Sequence, residues 1–87
     1  MLAIAVSDDG VLDPESVRAH QRPVVLFQGG IHAGEIDGKD AGFIALRELL
    51  EGRENRGAVA RATVLFVPVF NVDGHERFGA WNRPNQR

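Results

Sequence analysis

The chain reads as an α/β fold, the βαβ portion of a mixed, largely parallel sheet with flanking helices, in one domain spanning residues 1–87. Three observations predict it. "PVVLFQ" (23–28) and "TVLFVPVF" (63–70) are short, apolar and rich in β-branched residues, as strands are. Between them Phe43, Leu46 and Leu50 recur at helical spacing, widened by Ile36, Ile44 and Leu49. A strand–helix–strand crossover makes its two strands parallel, so the loops after both strands leave the same edge of the sheet.

Each element follows in order. "LAIAVS" (2–7) reads as a short strand and "DDG" (8–10) as a turn. Residues 11–22 are polar, contain Pro14 and read as a connection. In 23–28 the apolar run is continuous rather than alternating, which predicts burial on both faces. Its Pro23 sits at the first position, where a strand tolerates it. The helix begins at Asp37 as N-cap, with Asp40 suited to the positive end of the dipole, and Gly52 suits its C-terminus. "RENRGAVAR" (53–61) reads as a loop, and the second buried strand carries Pro68 near its end.

Composition narrows the function. Eighty-seven residues make at most one small domain. With 44% hydrophobic and 25% charged residues, the chain is an ordinary globular sequence. A net charge of -2 offers no field for nucleic acid or an anionic membrane, so neither is an expected partner. No apolar run reaches the roughly 20 residues of a membrane span. The start lacks a basic region ahead of its apolar residues, so no signal peptide is read there, and the compartment stays unknown. The absence of cysteine removes disulfide frameworks, cysteine zinc ribbons and cysteine nucleophiles together.

The chemistry concentrates in "QGGIHAGEIDGKD" (28–40), where strand gives way to helix. Zinc is commonly held by His nitrogen and Glu oxygen, with three protein ligands and a water in catalytic sites. His32 and Glu35, three apart, can aim at one point if the chain curls. Ala33 and Gly34 leave that curl uncrowded, and Gly29 and Gly30 permit unusual backbone angles. By spacing alone HxxE is a weak signal. A solvated turn whose acidic residues favour a helix start explains it equally, and position at a strand's carboxyl end, where open α/β sheets bind ligands, weighs towards metal. HExxH, HxxEH, GxxxxGK[ST] and GxSxG are all absent.

"GGIHAGEIDGKDA" followed by "VPVFNVDGHERFGAWNRPNQ" resembles the zinc metallocarboxypeptidases of the peptidase M14 type. That family carries an H-x-G-E-like element after one core strand and an N-P-D-G-like element after the next parallel strand. Here these are His32-Ala33-Gly34-Glu35 and Asn71-Val72-Asp73-Gly74, with valine in place of the usual proline. The resemblance covers roughly residues 20–87 and implies part of a carboxypeptidase-like fold, with Zn2+ as cofactor and His32 and Glu35 as two of its three ligands.

The family's third ligand, a histidine, and its general-base glutamate lie further downstream, so no catalytic residue is expected in this chain. On this reading the chain is an N-terminal portion of a catalytic domain, inactive alone. The implied substrate is a peptide cleaved at its C-terminal bond. The alternatives are a related zinc amidohydrolase acting on small acylated amino acids, or a non-catalytic remnant or interaction module.

The remaining polar residues read more simply. His75 is a ligand or an acid–base group at the cleft rim or, more plainly, it and Glu76 are polar rim residues of a turn held by Asn71 and Asp73. His20 is expected in solvent. Asp37, Asp40 and Asp73 can orient His32 or act only as cap and turn residues. Phe78 and Trp81 are expected to wall a loop packed over the sheet, and neither Arg83 nor Arg87 is assigned a role.

Overall fold

A computed structural model describes residues 1–52, 56–77, 79 and 81. It contains, in order, β1 (Ile4–Val6), α1 (Pro14–Ala19), β2 (Val24–Gln28), α2 (Asp37–Glu51), α3 (Arg56–Arg61), β3 (Thr63–Val67) and α4 (Val72–Glu76). The strands form one mixed sheet in the order β1-β3-β2. β2 runs parallel to β3, with Val24 opposite Thr63 and Gln28 opposite Val67, and β1 runs antiparallel to β3. The expected βαβ unit and the mixed sheet with flanking helices are therefore present.

The core lies where α2 and α3 cover one sheet face. Val6, Leu46, Val59, Val64 and Phe66 form it, with Ile4 and Leu49 packed against them. Register explains the set, because Ile4, Val6, Val64 and Phe66 are paired across β1 and β3 and alternate residues share a face. Phe43 meets Phe66 edge-on, at 5.4 Å between ring centroids and 83° between planes. Gly42 lets α2 come this close, because a Cβ there would stand 2.3 Å from the Phe66 ring.

Several expectations need correction. Residues 11–22 contain α1, which Asp13 caps by accepting from the Ser16 N–H at 2.9 Å, with Pro14 in its first turn. Proline belongs there, since its missing N–H has no helical partner at that position. Helix α3 occupies much of the stretch read as a loop, and α4 begins just past β3. The N-cap of α2 is Ile36, without a side-chain cap bond, and Asp37 is the first helical residue. Gly52 closes α2 in the left-handed conformation, as expected.

The largest correction concerns β2. Every residue of β2 is exposed, including Leu26 at 55% and Phe27 at 53%. Among the described residues it is an edge strand paired only with β3. The central β3 has the burial expected of both strands, with only Leu65 less than buried. It ends at Val67, before Pro68, which has no N–H to donate to a ladder.

Candidate metal-binding turn

Because β2 and β3 are parallel, the segments that follow Gln28 and Val67 leave the sheet at the same edge. They do not separate at once. Gly29 N–H donates to the Val67 carbonyl at 2.8 Å, Phe70 N–H to the Gly29 carbonyl at 3.0 Å, and Asn71 N–H to the Gly30 carbonyl at 2.8 Å. The ladder thus runs past Pro68 and ties the first glycine-rich segment to the start of the second. Reading the strand as far as Phe70 was a trace of this continuation.

Two glycines make the approach possible. A Cβ at Gly29 would lie 2.9 Å from the Pro68 carbonyl oxygen and 3.2 Å from the backbone of Gly38 and Lys39, so it would press on strand and helix together. Gly30 has φ +56°, and a Cβ there would lie 3.0 Å from Val69 Cα. A side chain at either position would push the turn off the sheet edge.

The chain then curls through residues 32–35. Glu35 N–H donates to the His32 carbonyl at 3.3 Å, and Gly34, at φ +80°, supplies the left-handed step that closes the turn. His32 is exposed and Glu35 half-buried. The turn runs directly into α2, whose first turn carries Asp37 and Asp40; Lys39 and Asp40 N–H groups both reach back to the Ile36 carbonyl. Asp40 faces Lys39 at 3.4 Å, a surface pairing of small energetic weight.

A His nitrogen and a Glu oxygen on one tight turn are donors of the kind zinc takes. The residues present fit half of such a site. Among the described residues no group of three His, Cys, Asp or Glu is gathered to hold a metal. His75, in α4, instead lines a groove with Lys39, Phe43, Pro68 and Val69, to which His32 and Glu35 do not contribute. His20 is exposed, as expected, and its Nδ1 lies 2.8 Å from the Ser16 carbonyl at the end of α1.

The second motif has a capping role. Asn71 is the N-cap of α4, its Oδ1 accepting from Gly74 N–H at 2.9 Å. Gly74 is buried against it, since a Cβ there would stand 2.6 Å from Asn71 Nδ2. This agrees with a turn held by Asn71, while Asp73 is an exposed first-turn residue of α4. Trp81, expected as a wall over the sheet, is instead 93% exposed. Phe78, Arg83 and Arg87 lie outside the described residues.

Compared with known proteins, residues 1–87 match a family model described as zinc carboxypeptidase, peptidase M14. No curated protein and no solved structure matches.

Proposed function

The chain belongs to the zinc carboxypeptidase family, and on that premise we propose that it is part of a zinc-dependent carboxypeptidase domain, with His32 and Glu35 as two of the metal's ligands. The observation that carries this reading is the turn itself. One histidine and one glutamate sit on a closed curl at the carboxyl edge of two parallel strands, beside the start of α2. That edge is where open α/β sheets bind ligands.

Zinc, when bound, polarises a carbonyl and lowers the pKa of its water. The chain's own part is to supply a neutral imidazole and a carboxylate from a short, backbone-closed turn. The start of α2 adds a positive potential beside the turn, which suits anionic groups there. The substrate class is a peptide with a free C-terminal carboxylate, and no residue of this chain is assigned to clamp it or to take the proton from water.

Two ligands without a third make a weak site, so the 87-residue chain is expected to bind zinc no better than micromolar and to cleave nothing by itself. Submicromolar affinity by calorimetry, lost in His32→Ala and equally in His75→Ala, would place a third ligand within the chain and overturn this assignment. For the complete gene product, cleavage of peptides with free C-termini and not of amidated ones is the expected result. Hydrolysis of acylated amino acids instead would point to a deacylase.

A further inference from the structure

We propose that the Asn71–Gly74 turn is a positioning element that holds the His32–Glu35 loop from its far side, an inference that rests on the metal reading of that loop. The two motifs are mechanically joined at one residue. Asn71 donates its backbone N–H to the Gly30 carbonyl at 2.8 Å, two residues before His32. Its side chain at the same time caps α4 through Gly74 N–H at 2.9 Å. Its own carbonyl accepts from His75 N–H at 3.0 Å, so one residue ends the extended ladder and starts the helix.

The geometry leaves this residue little freedom. Gly30 has φ +56°, and a Cβ there would meet Val69 and the Pro68 carbonyl, so its backbone lies close against the β3 exit. On the opposite side Gly29 is pressed between the Pro68 carbonyl and the first turn of α2. The glycine loop is therefore gripped between α2 and the β3 exit, and the grip ends at Asn71. If the cap is lost, the last ladder bond loses its fixed donor, and the loop carrying His32 frays from that end. The action passes through the backbone, from Asn71 N–H to the Gly30 carbonyl.

The test is site-resolved amide hydrogen exchange on the protein, in wild type, Asn71→Ala, Asn71→Asp and Gly74→Ala. Asn71→Ala removes the cap and keeps the backbone donor, and Asn71→Asp keeps a capping oxygen. The expected result is exchange at Asn71, Phe70 and Glu35 faster by about fivefold in Asn71→Ala, the size of a lost N-cap. Exchange at Leu65 and Phe66 stays unchanged, and Asn71→Asp restores protection. Gly74→Ala behaves as Asn71→Ala does, because its Cβ displaces the capping side chain.

Faster exchange confined to α4, or a uniform rise that includes β3, would overturn the proposal. A zinc titration of the same proteins separates the two readings. Weaker zinc binding in Asn71→Ala, recovered in Asn71→Asp, supports both. A loosened loop in a protein whose His32 ignores zinc keeps the positioning role and removes the metal.

Discussion

At the scale of single residues, small changes of volume or charge have calculable consequences. Gly42→Ala places a methyl 2.3 Å from the ring of Phe66, which is only 3% exposed and braced by Phe43. Overpacking costs about 1–3 kcal/mol, against a helix-propensity gain of about 1 kcal/mol, so net destabilisation is expected in a denaturant titration. Gly57→Ala, in α3 with nothing within 4 Å of the new carbon, should be neutral or stabilising.

Thr63 is 3% exposed and donates to the Val11 carbonyl at 2.8 Å across 52 residues of chain. Thr63→Val strands that carbonyl and should cost about 1–3 kcal/mol. Asp13 titrates in the opposite sense to a buried acid. The Ser16 hydroxyl and then the Ser16 N–H hold its carboxyl below the ordinary 3.8. A lowered folded-state value contributes stability above the ordinary value, and that contribution is lost as pH falls through the lowered one. Circular dichroism of α1 should therefore decline in acid below about pH 4, and Asn at position 13, which caps without titrating, should flatten that decline.

At the scale of elements, what the sequence disclosed follows from how local each signal is. β3 and α2 were legible because a continuous apolar run and a helical stripe each exceed the noise of a few residues. The start of α1 is also written in the chain, since Asp13-Pro14 followed by Ser16 is an N-cap with proline in the first turn, although the polarity of 11–22 reads as a connection. Helix α3, six residues with Gly57 inside, carries no such stripe and takes its place from Val59 in the core. For the site, the His32–Glu35 spacing and the capping role of Asn71 were readable. The Asn71–Gly30 bond was not, because no sequence pattern states which carbonyl a given N–H will meet.

β2 shows a different kind of mismatch. Its composition asks for cover on both faces, and in this chain it lies uncovered at the sheet edge. An exposed apolar edge strand with unpaired N–H and C=O groups associates with other chains. The 87-residue chain should therefore self-associate, and Leu26→Lys should shift it towards monomer in sedimentation velocity. A wild type that stays monomeric at high concentration would show that the edge is protected in solution.

At the scale of the molecule, the exposed apolar surface includes a whole strand. Val24, Val25, Leu26 and Phe27 of β2 are all more than 40% exposed. Among the described residues β2 stays exposed, and no group of three metal-ligating side chains is gathered.

The most direct measurement is a zinc titration of the chain followed through the imidazole NMR resonances of His20, His32 and His75. The account predicts a saturable, weak shift at His32, diminished by Glu35→Gln, with His20 and His75 unmoved. No response at His32, or a response led by His75 with Glu35→Gln silent, would contradict the assignment of the 32–35 turn as half of a zinc site.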